Sequence, residues 1–130
     1  MKAIFPLAVL LLLLTVMGAG AASLTITELA VTTKVSRGKP IDSVHRISYQ
    51  AVHDLYGFTR TQSDLPEETT VTHLWFRDGQ QIKETKLPIK GRRWRVYSTL
   101  PVNATSVGSW RFEVRDAAGT LLKSAEFQIH

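Results

Sequence analysis

The chain is 130 residues long and 44% hydrophobic, has no cysteine, and carries 16 Lys and Arg against 11 Asp and Glu, for a formal charge of +5. That length bounds it to one small domain, and the lack of cysteine excludes both a disulfide framework and a lipid anchor through an N-terminal Cys. A basic excess of this size favours anionic partners such as envelope polymers, acidic proteins or lipid headgroups, although charge of this order also serves solubility alone.

The first element is a leader. Lys2 forms a short basic segment, residues 4–17 are apolar, and Ala19-Gly20-Ala21 gives a small-residue cleavage pattern, which together read as a secretory signal peptide over residues 1–21. The apolar run is short for a bilayer span of about 20 residues, and no basic stop-transfer cluster follows it. Retention as an uncleaved anchor is the alternative. The expected mature domain is therefore 22–130, in the periplasm or secreted, with 15 cations left against 11 acids once Lys2 is removed. Export argues against a nucleic-acid partner. So does the scatter of Lys and Arg, which gather only at residues 90–95.

Residues 24–27 and 29–33 are rich in β-branched side chains, but their apolar parity flips at Glu28, which predicts a bulge or a frayed first strand. Arg37-Gly38-Lys39-Pro40 breaks that run. Ile47, Tyr49 and Ala51 share one parity; over so few residues periodicity does not separate strand from helix, and a short helix over 43–51 stays open. After a break at Asp54, residues 55–59 predict a strand, and residues 62–68, with Pro66 and three acids, a polar connection.

The second half is more regular. Residues 69–77 predict a strand, Asp78-Gly79 a two-residue hairpin turn and residues 80–87 the return strand, because both turn residues tolerate the left-handed backbone such turns need. Pro88 has no N–H for a ladder and is expected to end that strand. Strands over 92–98 and 109–115 follow, separated by a loop around Pro101-Val102-Asn103-Ala104. In the last hairpin, into residues 121–129, Asp116 and Gly119 take the first and fourth places of a type I turn. Seven or eight short strands in about 109 residues predict an all-β fold, an antiparallel Ig-like β-sandwich of about seven strands.

The outward parity of the two Trp-containing strands carries Arg93, Arg95 and Tyr97 on one and Arg111, Glu113 and Arg115 on the other. If these strands pair, the arginines form a ladder beside an aromatic ring, and guanidinium forks bind carboxylates and phosphates bidentately. The plain alternative is a solvated charged face with cross-strand pairs to Glu113. Trp94 aligns with Val96, and Trp110 with Phe112 and Val114, which is core behaviour. Trp75 and His73 share a parity with Val71 and Arg77; Trp75 reads as core or as a sugar-stacking platform, and His73 as a hydrogen-bonded, partly buried ring. The candidate binding residues are thus Arg93, Arg95, Tyr97, Arg111, His73 and Trp75.

No two histidines among His45, His53, His73 and His130 lie within four residues, so no metal or other cofactor is expected. The chain has no Gly-x-Ser-x-Gly elbow, and Glu67 and Glu68 fall in the predicted connection without preorganisation for acid–base work. Asn103-Ala104-Thr105 matches a glycosylation acceptor.

His73-x-Trp75, the hairpin, Arg92-x-Trp94-Arg95 and Gly108-x-Trp110-Arg111 with Val114, Asp116 and Gly119 together resemble the bacterial family of domain of unknown function 2914. The resemblance is strongest over residues 71–129 and loose before residue 64. It implies a small exported or membrane-attached β domain without assigned catalysis. Where that family tends to carry Ser-Ser or Ser-Lys after the first Trp-Arg strand, this chain has Tyr97-Ser98-Thr99. The expectation is an exported, non-catalytic binding or interaction module of the bacterial cell envelope. Its partner would be an envelope protein, a peptide or an anionic polymer. The rivals are a structural subunit of an envelope assembly and a hydrolase acting on envelope polymer, which would need a concave pocket holding His45, His53 or His73 beside a carboxylate.

Overall fold

The computed structural model describes residues 23–130, and the leader lies outside the described residues. Seven long strands and three two-residue ones follow: β1 (Leu24–Thr32), β2 (Val35–Ser36), β3 (Lys39–Pro40), β4 (Arg46–Ile47), β5 (Asp54–Ser63), β6 (Thr69–Arg77), β7 (Gln80–Ile89), β8 (Arg93–Pro101), β9 (Gly108–Asp116) and β10 (Leu121–Ile129). One 3₁₀ turn, Ala104–Ser106, precedes β9. It is closed by a capping box in which Asn103 accepts from Thr105 N and Ser106 Oγ accepts from Asn103 N.

A three-stranded sheet, β1-β5-β8, faces a five-stranded sheet, β4-β10-β9-β6-β7, with β1 beside β10 and β8 beside β7 at the two seams. Alternation along each strand fills the space between them. Val31 and Leu55 from one sheet meet Val71, Trp75, Phe112, Val114, Phe127 and Ile129 from the other. Trp75 and Phe112 are tilted against each other at 4.4 Å between ring centroids, and Trp110 stacks on Phe127 at 5.9 Å while its Nε1 donates to the Ser106 carbonyl at 2.7 Å.

Local signals that need only two or three residues are met closely. Asp78 and Gly79 both adopt positive φ, 50° and 83°, between β6 and β7. Gly119 N donates to the Asp116 carbonyl at 3.0 Å, closing the predicted last turn. The parity flip in β1 is a bulge at Thr27, between the pairings Ile26–Thr61 and Glu28–Arg60.

Four expectations are corrected. No helix forms over 43–51; only β4 is regular there, and it pairs in parallel with the end of β10. Pro88 does not end β7, which continues to Ile89 opposite Thr69; β7 is an edge strand, so the missing N–H breaks no ladder. The break at residues 37–40 is a hairpin of its own, turning through Arg37 and Gly38 at φ 55° and 72°. β5 runs on to Ser63, four residues past its predicted end and two into the predicted connection, because Thr61 and Ser63 are the inward-facing residues there and polar inward positions hide the alternation.

Candidate functional site

The conditional ladder of arginines does not form. β8 and β9 lie in opposite sheets, so Arg93, Arg95 and Tyr97 face outward on one side of the sandwich and Arg111 and Arg115 on the other. His73 and Trp75 belong to neither surface, since both are wholly buried between the sheets. The six candidates divide into three places.

The buried pair sits in a polar patch of the core. His73 Nε2 is 2.9 Å from Thr59 Oγ1 and Nδ1 is 2.7 Å from Ser98 Oγ, which also accepts from Trp75 Nε1 at 3.3 Å. Hydroxyls donate or accept as needed, so either neutral tautomer is satisfied. Burial pushes the His73 ring down to about 3, because a charged imidazolium there would have no counter-ion to repay its lost hydration. The network holds the core together and is closed to ligands. Trp94 has the inward parity expected of it, yet it is only half-buried, packing over Gly91 at one end of the sandwich.

On the outer face of the five-stranded sheet, Glu113 is buried between two arginines. Arg111 Nε donates to one carboxylate oxygen at 2.6 Å, and Arg115 Nε and Nη2 donate to the other at 3.0 and 2.7 Å. Burial alone would raise the Glu113 carboxyl, but the hydrogen bonds and charges of Arg115 and Arg111 outweigh it and hold the group below the ordinary carboxylate range. Its stabilisation is therefore present above pH ~4.5 and lost as pH falls through the lowered value. Glu113→Gln, which leaves two guanidiniums side by side, is expected to cost about 1–2 kcal/mol. Urea unfolding at pH 7 checks this, and an unchanged midpoint would contradict it. Here the charges are internally paired, but along β9 itself and around a buried Glu113, not in the cross-strand pairs of a solvated face that the plain alternative expected.

The outer face of the three-stranded sheet is different. Its rungs run Thr25–Gln62–Arg93, Glu28–Arg60–Arg95, Ala30–Phe58–Tyr97 and Thr32–Tyr56–Thr99. Arg60 and Arg95 are thus direct cross-strand partners, an arrangement of like charges that disfavours a sheet unless something offsets it. Glu28 reaches Arg60 Nη2 at 3.3 Å, while among the described residues Arg93 and Arg95 have no carboxylate within 4.0 Å. Arg60 Nε is buried and has no acceptor among the described residues.

These side chains wall an open cleft of about 620 Å³ lined by Thr27, Arg60, Thr61, Gln62, Arg93, Trp94 and Arg95. The β2–β3 hairpin lies over one side, close enough that a Cβ at Gly38 would stand 2.9 Å from Arg95 Nη1. Its tip carries exposed Arg37 and Lys39. The hairpin is pinned at its base by Asp42, which accepts from Thr32 Oγ1 at 2.6 Å and from Thr33 N and Oγ1 at 2.8 and 2.5 Å. Farther along the face, Phe58 is buried and Tyr97 is 52% exposed, set edge-on to Tyr56 at 5.9 Å. Residues scattered through the sequence, from Thr27 to Tyr97, meet on this one surface.

Residues 68–129 match the model of the family described as "Protein of unknown function (DUF2914)". That segment is similar to the DUF2914 family. It spans β6 to β10 and so supplies most of the five-stranded sheet together with β8, whereas β1, the β2–β3 hairpin and β5 precede it. The basic cleft is therefore built across the boundary of the DUF2914 match. No curated protein matches the chain. Among solved structures, the fold resembles an immunoglobulin-like protein from Pseudomonas aeruginosa, with TM-score 0.56 and 17% identity over 86% of this chain and 100% of that one. It also resembles part of the Pseudomonas fluorescens alkylpurine DNA glycosylase AlkC, with TM-score 0.54 and 20% identity over 90% of this chain but only 33% of the glycosylase. These likenesses establish an all-β, immunoglobulin-like fold for the chain. Among the described residues no three His, Asp or Glu side chains stand close enough to share a metal ion, and no helix is long and apolar enough to cross a membrane.

Proposed function

We propose that the chain is an exported, non-catalytic binding module of the bacterial cell envelope, and that its contact surface is the basic outer face of the three-stranded sheet. One observation carries the reading: Arg60 and Arg95 are paired across two strands, with Arg93 beside them and a single carboxylate, Glu28, in reach. On the opposite sheet Arg111 and Arg115 are both paired with a buried glutamate, so the two faces differ in what they offer a partner. The leader pattern of residues 1–21 supports export. The buried setting of His73, between two hydroxyls, removes it from hydrolysis; His45 lines an open cleft together with Glu126, and the hydrolase rival rests on that pair alone.

The partner is an anionic polymer or an acidic segment of an envelope protein. AlkC is described as bound to DNA containing an abasic site analog, but the likeness to it is one of fold, and an exported chain meets envelope anions rather than DNA. An array of anionic glycans and acidic peptides probed with the chain is the test. Arg95→Glu is expected to lower retained signal at least tenfold, and Arg111→Glu to leave it within about twofold. Equal signal from both variants and the parent would remove this face from consideration.

A further inference from the structure

We propose that the Arg60–Arg93–Arg95 cleft recognises a dianionic phosphoryl group, a phosphate monoester carried on a larger polar molecule. This rests on the reading of the basic face as the binding surface and specifies what that surface takes. The charge count sets the ligand. Three guanidiniums against Glu28 leave two positive charges, which one carboxylate or one phosphodiester would only half neutralise, whereas a phosphate monoester is close to a dianion near pH 7.

Geometry agrees with charge. Guanidinium forks present paired N–H donors that match two oxygens of a phosphoryl group. Arg60 and Arg95 approach from neighbouring strands and Arg93 from the next outward position of β8, so all three side chains line one space, with Arg60 Nη2 already on Glu28. Gln62, opposite Arg93, adds an amide. At about 620 Å³ the cleft is far larger than one phosphoryl group and lies in the range of pockets that hold whole small ligands. An attached sugar or similar polar body is therefore accommodated beside the phosphate. The hairpin against Arg95 supplies a wall, and Arg37 and Lys39 at its tip extend the positive field toward the entrance.

Calorimetric titration of the chain at pH 7.5 with inorganic phosphate, glucose 6-phosphate, acetate and sulfate tests the proposal. Phosphate and glucose 6-phosphate are expected to bind, the sugar phosphate at least threefold tighter, and acetate at least tenfold weaker than phosphate. Between pH 7.5 and pH 6, phosphate affinity is expected to fall severalfold as the ligand gains a proton, while sulfate affinity stays constant. Arg60→Gln and Arg95→Gln, both on an exposed face, are each expected to weaken phosphate binding at least tenfold with an unchanged circular dichroism spectrum. Vesicles of phosphatidylcholine with and without phosphatidic acid separate a lipid source from a soluble one: preferential binding to phosphatidic acid over glucose 6-phosphate assigns a membrane source to the same phosphoryl group.

Acetate binding as tightly as phosphate, or phosphate affinity indifferent to both substitutions, would overturn the phosphoryl assignment. Retention of acidic peptides that depends on Arg95, without phosphate binding, would overturn this inference and leave the binding-module reading standing. Loss of both would end the two together.

Discussion

Replacing Gly57 by valine is expected to abolish folding, and even alanine is expected to cost about 3 kcal/mol or more. Gly57 lies mid-strand in β5, between Val31 and Ser98, with its Cα turned into the core. A Cβ built there would overlap Phe112 Cζ and stand 2.5 Å from Phe112 Cε1 and 2.8 Å from Trp75 Cζ2. Neither ring has room to retreat. Phe112 is held between Trp75 and the edge-on ring of His73 at 4.8 Å, and Trp75 also meets Phe127 at 6.0 Å. A methyl group would push the sheets apart at the middle of the sandwich, where close packing transmits the strain to every neighbour. Against a total stability of roughly 5–15 kcal/mol for a small domain, such a loss is a large share. Urea unfolding of Gly57→Ala checks it, and a midpoint close to that of the parent would show that the sheets have slack here.

The second large effect is acid lability centred on His73. Its folded-state value is depressed to about 3 from an ordinary 6.5, so the unfolded chain takes up a proton that the folded one refuses. Stability is complete above pH ~6.5 and is lost as pH falls toward 3, by up to ~1.4 kcal/mol per pH unit. At pH 4.5 the loss is about 2–3 kcal/mol, before Glu113 and Asp42, both held below the usual carboxylate range by their hydrogen-bonding partners, contribute at still lower pH. Denaturant melts between pH 7 and 4.5 on the parent and on His73→Gln separate the sources. The variant is expected to be less stable at pH 7 and to have a much flatter slope. An equally steep slope in the variant would place the acid sensitivity elsewhere.

How much of this was legible in the sequence follows from how far apart the interacting residues lie. Asp78-Gly79 and Asp116 to Gly119 dictate their own turns, and Trp110, Phe112 and Val114 declare an inward face within five residues. Parity alone also placed Arg93, Arg95 and Tyr97 on one outward face. It could not say which strand lies alongside, because register between β5 and β8 is fixed by packing across more than 30 residues. Arg60 and Gln62 were therefore missed as members of the site. Inward Thr61 and Ser63 hid the continuation of β5 beyond residue 59. His73 carried a signal that pointed two ways: a polar ring at an inward position is either a site or a satisfied core group. Only the hydroxyls of Thr59 and Ser98, brought from two other strands, decide between them. Arg37-Gly38 read as a simple break, although positive φ at two successive residues closes a hairpin there and brings it against Arg95.

The two faces of the sandwich now separate cleanly in chemical terms. On the five-stranded sheet Glu113 holds Arg111 through Nε and Arg115 through Nε and Nη2, and that surface is a structural ion cluster. On the three-stranded sheet Arg60 and Arg95 repel one another across the ladder and Arg93 adds to the field, a cost that an arriving anion would relieve. Tyr97, exposed beside them, offers a ring for the uncharged part of a ligand.

Amide and arginine side-chain NMR spectra of the chain, recorded during titration with polyglutamate at low salt, test that division most directly. The account predicts saturable shifts confined to the outer positions of β5 and β8, from Arg60 and Gln62 to Arg93, Arg95 and Tyr97, and to the hairpin tip at Arg37 to Lys39. Arg111 and Arg115 stay unmoved. Shifts concentrated on β9 and β10, or spread evenly over every exposed cation, would contradict it.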